Sequence, residues 1–157
     1  MTYFELFHIN TPCFFLDEDH LRSTYLQLSR QNHPDMVMHN IDAHASALEM
    51  TAKINQAYTV LKSFNKRLAY ILELKGLLKH NQKEDLPMDF LMEMMDINEE
   101  KENNKNGEIE KEVQKKLSNL ENNLTDRCKE YDLTQSPNVL SEIKILYLKR
   151  QYLKRLL

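Results

Sequence analysis

The sequence predicts an all-α protein in two parts, an N-terminal helical hairpin with a polar loop at its tip and a C-terminal three-helix bundle. Three observations predict it. Breakers are scarce, with 2 Gly and 4 Pro in 157 residues, while the good helix formers Leu, Met, Glu and Lys abound. Apolar residues recur at the three- and four-residue steps of a helix face along most of the chain. The glycines and prolines fall between those periodic segments and punctuate them.

The whole-chain numbers narrow the function classes. A hydrophobic share of 41% with 29% charged residues fits a soluble globular protein. A formal net charge of −3 gives no global attraction to nucleic acid or anionic lipid, so neither is expected as a partner. No apolar run approaches the roughly 20 residues that span a bilayer. The start Met1-Thr2-Tyr3-Phe4-Glu5 lacks the basic beginning of a signal or transit peptide, so a cytoplasmic location is expected if the chain is the full mature one. Cys13 and Cys128 are far apart and form no CxxC, which suggests neither a zinc site nor a disulfide framework. Cys128 lies on an apolar helix stripe and reads as a small core residue. His33, His39 and His44 share one loop, and no histidine pair has the spacing of a zinc-protease helix. No metal or other cofactor is expected.

The elements follow in order. Residues 2–8 read as a short helix with Phe4 and Phe7 on one side, broken by Thr11-Pro12-Cys13. Asp17 is a good N-cap for the second helix, and Glu18 and Asp19 place negative charge where the helix dipole favours it. Leu21, Tyr25 and Leu28 mark its apolar face at i, i+4, i+7. From His20 to Arg30 there is no acidic residue, while Arg22 and Arg30 are basic. So small a bias is ordinarily a solvated face; the sharper reading is a docking surface for an acidic partner. Pro34 disfavours the α region for His33, so this helix ends before it. Asn32-His33-Pro34-Asp35 and residues 36–44 then form a loop, and a third helix runs from about Ala45 to Phe64 with Ile54, Ala57, Tyr58 and Leu61 on one face. A further helical segment holds residues 66–72. Gly76 to Asp85 is polar and breaker-containing, which places the first domain at 1–75, a linker at 76–86 and a second domain at 87–157.

Pro87 suits the first turn of the next helix, with Asp85 as its cap. That helix, Met88 to about Glu102, carries two apolar stripes. Phe90, Met94 and Ile97 share one face; Met88, Leu91, Met92 and Met95 lie on the other, bordered by Glu93, Asp96, Glu99 and Glu100. One stripe is enough to dock a helix on its core. The second fits a helix sandwiched between two others, a self-association face, or an exposed Met-rich contact for a protein partner. Periodicity leaves these open. Residues 98–112, with Gly107, read as a helix end, a loop and a new start. Ile109, Val113, Leu117, Leu120, Leu124, Cys128 and Tyr131 then form a heptad-like stripe. Ser136-Pro137 caps and starts the last helix, where Val139, Ile143 and Leu146 share a face and Lys149, Arg150, Lys154 and Arg155 form a solvated basic end. A seam this long implies a small antiparallel bundle.

The short first helix, the two long helices and the His-Pro-Asp tripeptide between them resemble a J-domain. The chain as a whole resembles the HscB family of J-domain co-chaperones of iron–sulfur cluster assembly. The resemblance implies that His33, Pro34 and Asp35, with Arg22, Tyr25, Gln27 and Arg30 as helper contacts, dock on an HscA- or DnaK-type chaperone ATPase and stimulate it. Tyr25 fits a core role equally well. Phe90-Leu91-Met92-Glu93 followed by Met95 and Glu99-Glu100 is similar to the family segment that contacts the iron–sulfur scaffold protein. By that match Leu91, Met92 and Met95 are apolar contacts, and Asp96 and Glu99 acidic ones. One apolar residue of the last helix also contributes in the family; Ile145 is the first candidate and Tyr147 the next. Three positions depart from the family pattern: Met36 stands where Lys is usual, Asn32 where an aromatic is common, and Asn103 where another acid often sits.

Catalysis by the chain itself is not expected. There is no Gly-rich phosphate loop, GxSxG or His-Glu-x-x-His, and a projecting loop offers no cleft around His33 and Asp35 to exclude water. The expected function is a monomeric co-chaperone that brings the cluster scaffold to its chaperone. A J-domain protein serving another client, and a helical adaptor in which His-Pro-Asp is only a turn, are the alternatives.

Overall fold

The computed structural model describes residues 1–79, 86–103 and 107–157. Among these every regular element is helical, and no helix is long and apolar enough to cross a membrane. In chain order they are α1 (Tyr3–Leu6), α2 (Glu18–Gln31), a 3-10 turn (Pro34–Val37), α3 (Ile41–Leu61), α4 (Phe64–Leu74), α5 (Met88–Asn103), α6 (Glu108–Thr134) and α7 (Pro137–Arg155). The chain forms two compact units, Met1–Ile71 and Leu72–Leu157. The linker residues 80–85 and the Asp85 cap, like residues 104–106, lie outside the described residues.

In the first unit α2 begins because Asp17 caps it, its Oδ1 accepting the amides of Asp19 at 3.0 Å and His20 at 3.2 Å. Leu21, Thr24 and Leu28 are buried on its inner face, opposite Ile54, Ala57 and Leu61 of α3. Three contacts set the antiparallel register. The Tyr25 ring stacks on Tyr58 with centroids 4.2 Å apart, and its hydroxyl donates to Asn55 Oδ1 at 2.7 Å. At the other end Thr51 donates its hydroxyl proton to the Asn32 carbonyl at 3.3 Å. The short α1 is held from the side, with Phe4 and Phe7 buried, Tyr3 stacked on Tyr70 and its amide donating to the Tyr70 hydroxyl.

Arg67 of α4 ties these pieces together. Only 6% exposed, it donates through Nε to the Phe14 carbonyl at 2.8 Å and through Nη1 to the Leu61 carbonyl. One guanidinium thus satisfies the end of α3 and the α1–α2 connection.

In the second unit Phe90, Met94 and Ile97 of α5 form one core with Ile109, Val113 and Leu117 of α6 and Leu153 of α7. Glu93–Lys116 and Lys101–Glu110 pairs fix α5 and α6 as antiparallel. The Phe90 ring meets Tyr152 edge-on and carries Lys149 Nζ at 5.2 Å, so α7 lies along the same face. The expected stripe of α6 is buried at Ile109, Val113, Leu117, Leu124, Cys128 and Tyr131, with Leu120 partly buried. Cys128 sits where burial, with Asp132 adding to it and Arg150 opposing, pushes its thiol up to about 12.

Several expectations need correction. The first helix is shorter than residues 2–8, because His8 turns left-handed at φ 61. The third helix starts at Ile41, not Ala45, since Asn40 caps it by accepting the Ala43 amide at 3.0 Å, and it ends at Leu61, short of Phe64, which begins α4 as a separate helix. Ser136 occupies the cap position of α7 but makes no side-chain cap bond; Pro137, which has no amide hydrogen to satisfy, starts the helix instead. Arg150 is not part of a solvated end: it is 6% exposed, with its guanidinium over the Tyr147 ring at 5.8 Å.

Replacing Arg67 by Met keeps the bulk but orphans two buried carbonyls. The expected loss is about 3 kcal/mol, read as a lower urea midpoint of unfolding.

Candidate functional site

The tip loop is built from its helix ends. α2 stops at Gln31, and Asn32 closes it, its side-chain amide donating to the Leu28 carbonyl at 2.8 Å. This gives Asn32 a local role that an aromatic could not fill. His33 then adopts φ −66, ψ 128, the extended geometry that Pro34 imposes. Its Nδ1 accepts the Asp35 amide at 3.2 Å, which in this arrangement leaves the ring proton on Nε2. The Asp35 carboxylate lies 3.5 Å from the same nitrogen, and both side chains are mostly exposed. The imidazole thus acts as a strut under the turn, and Asp35 presents a carboxylate at its crest.

Arg22, Gln27 and Arg30 are exposed on α2, while Tyr25 is half-buried against Tyr58. Tyr25 therefore belongs to the seam of the hairpin as well as to its rim. Leu26, between Arg22 and Arg30 on one line of the helix at i+4 steps, is exposed too. Sequence reading passed over it because it lies off the apolar stripe; an apolar residue on the polar face was the available signal.

In the second unit α5 buries Phe90, Met94 and Ile97 and turns Met88, Met92 and Met95 outward. Leu91 is half-buried, Asp96 and Glu99 are exposed, and Glu93 is engaged by Lys116. Ile145 is exposed and lines a shallow hollow with Asn123, Arg127, Glu142 and Leu146. It stands one turn before Lys149, past the start of α5. Tyr147 is occupied within its own unit: its hydroxyl accepts from Gln151 Nε2 at 2.7 Å, and burial raises its pKa, with Arg150 opposing and Glu73 adding. Among the described residues no group of His, Cys, Asp and Glu could hold a metal ion.

Comparison with known proteins matches residues 2–70 to the DnaJ domain and residues 86–157 to the HSCB C-terminal oligomerisation domain. A co-chaperone protein HscB homolog of Psychromonas ingrahamii is 30% identical over 157 residues, covering 93% of this chain and 90% of that one. The chain belongs to the HscB co-chaperone family. An HscB homolog of Pseudoalteromonas atlantica is 38% identical over 102 residues, 64% of this chain and 58% of that one. Among solved structures, human co-chaperone protein HscB superposes with a TM-score of 0.69 at 25% identity, covering 99% of this chain and 78% of that chain. HscB of Vibrio cholerae gives 0.56, also at 25% identity, covering 99% and 97%. In this HscB family member His33-Pro34-Asp35 falls on the exposed tip, and the segment from Phe90 to Glu100 falls on a helix with one apolar face buried and one exposed.

The two faces of α5 are chemically separable. Dilute peroxide should convert Met88, Met92 and Met95 to sulfoxides well before the fully buried Met94, as read by peptide mass spectrometry of the folded protein. Equal rates would mean that α5 does not pack as described.

Proposed function

We propose that this chain stimulates the ATPase of an HscA- or DnaK-type chaperone through its tip loop, and delivers an iron–sulfur cluster scaffold protein held on its C-terminal bundle. The observation that carries the first half is the exposed His33-Pro34-Asp35 turn beside the exposed arginines of α2, in a chain of the HscB family. Asp35 offers a carboxylate to a cation of the chaperone, Arg22 and Arg30 offer cations to acids, and Pro34 and His33 hold the turn. Residues 1–75 are the stimulating domain in this reading, 76–86 the linker and 87–157 the delivering domain. The co-chaperone contributes differential affinity: it binds the conformation that hydrolyses ATP and closes on its client more tightly than the other, and so populates it. Its role is to bias a partner, so no reaction centre of its own is needed. The setting is cytoplasmic.

The second half is supported by the outward face of α5. Leu91, Met92 and Met95 supply adaptable apolar area, with Asp96 and Glu99 as its polar rim and Ile145 on α7 as an outlying contact. The chain acts as a monomer here. Because the matched C-terminal family is described as an oligomerisation domain, sedimentation velocity across a dilution series is the control that separates scaffold binding from self-association on the same face.

Two expected outcomes test the halves apart. His33→Gln or Asp35→Ala should abolish stimulation of ATP turnover, with helicity and scaffold binding intact; variants that stimulate normally would show that the tip is not the active element. Leu91→Ala with Met95→Ala should weaken scaffold binding by about 1–3 kcal/mol in calorimetry and leave basal stimulation alone. If that pair lowers the thermal midpoint instead, the face was core.

A further inference from the structure

We infer that Met88, Met92 and Met95 form a reversible modification site: peroxide converts their thioethers to sulfoxides in the folded protein, which weakens the hold on the scaffold, and thiol-driven reduction restores it. The inference rests on the reading of the outer face of α5 as the scaffold contact and adds how that contact is regulated.

Met88 is 71% exposed, Met92 60% and Met95 68%, whereas Met94 is 0% exposed. The exposed three stand at i, i+4 and i+7, so they share one side of the helix. Single exposed apolar residues are ordinary; a row of thioethers on one face is an oxidation target with a defined location. From Leu72 to Leu157 the sequence holds four methionines and one cysteine, and Met94 and Cys128 are fully buried. All the exposed sulfur of the second unit therefore lies on the face read as the scaffold contact.

In the forward step a sulfur lone pair attacks one oxygen of hydrogen peroxide. The S–O bond forms as the O–O bond breaks, and the other oxygen leaves as water with both protons. In the reverse step two thiols are oxidised to a disulfide and the sulfoxide oxygen leaves as water, a reaction run by methionine sulfoxide reductases. Each sulfoxide replaces an apolar contact by a polar oxygen that accepts hydrogen bonds and donates none. The exposed carboxylates of Asp96 and Glu99 border the same side, and when ionised they too only accept. A partner that seats apolar area here must then strip water from the new oxygens with no donor from α5 to replace it. The inner side is spared, because Phe90, Met94 and Ile97 stay enclosed in the bundle core. The oxidised helix thus keeps its packing, and the change can be undone.

The test is calorimetric binding of the full chain to the cognate, cluster-free scaffold protein, before and after dilute peroxide ended with catalase. Peptide mass spectrometry counts the oxygens gained on residues 88–95. Met88→Leu/Met92→Leu/Met95→Leu and, separately, Met36→Leu/Met38→Leu are treated in parallel, each protein serving as its own reference. After treatment the wild type is expected to bind at least roughly tenfold more weakly, with its circular dichroism unchanged. Affinity is expected to return on incubation with the two reductases, one for each sulfoxide epimer, and dithiothreitol. Met36→Leu/Met38→Leu should lose affinity as the wild type does, while the triple variant keeps whatever dissociation constant it started with. Equal loss in the triple variant places the damage at another sulfur and overturns the site, as does retained affinity in treated Met36→Leu/Met38→Leu. Full affinity in a wild type that carries the sulfoxides overturns it too, and so does a loss that comes with lost helicity or that the reductases fail to reverse. Absence of scaffold binding by the untreated wild type removes the delivery reading itself, and this inference with it.

Discussion

The first unit depends on one buried cation. Arg67 reaches two backbone carbonyls, at Phe14 and Leu61, and so joins the α1–α2 connection and the end of α3 to α4, alongside the Tyr3–Tyr70 contact. A guanidinium suits the task because its planar fork carries several donors in fixed directions, while a lysine would offer one compact charge with a larger hydration shell to shed. Burying such a charge is costly unless its donors are used. Here the use is structural: the register of α1, α3 and α4 positions Tyr58, and Tyr58 in turn carries Tyr25 and the hairpin that projects the loop.

The second unit handles polarity differently. α5 faces its core with Phe90, Met94 and Ile97 and gives its opposite side to methionine and carboxylates. A thioether is flexible and polarizable, so an exposed row of methionines can fit more than one surface shape, and carboxylates beside it discourage indiscriminate sticking. Ion pairs to α6 flank the helix at Glu93 and Lys101. They are surface pairs of small energy, but they orient α5 so that the methionines point away from the bundle.

Much of this was legible in the sequence because burial imposes periodicity. The stripes of α2, α3, α5 and α6 were readable as steps of three and four, Asp17 as a cap, and Pro34 as the end of a helix. The beginning of α3 was less so. Met36-Val37-Met38-His39-Asn40 contains no apolar rhythm, and the one cue, Asn40 three residues before Ala43, is weak without the backbone geometry. Arg67 and Arg150 were illegible for a different reason. Arg67 is held by a carbonyl 53 residues away in sequence, and nothing local distinguishes a buried arginine from a solvated one. At the tip the tripeptide was plain, but the strut between His33 Nδ1 and the Asp35 amide and the closing bond from Asn32 are properties of the folded turn. The exposure of Leu26 was not legible because the residue lies off the apolar stripe of α2, among polar neighbours.

The interior of α6 has a bearing on metal chemistry. A thiol coordinates soft metal ions as its thiolate, and at Cys128, fully enclosed, burial pushes the thiol pKa up to about 12 and so disfavours that form. Sulfur can therefore be present in the bundle without acting as a ligand. Cys128 serves the bundle as packing volume, shut off from solvent by the side chains around it.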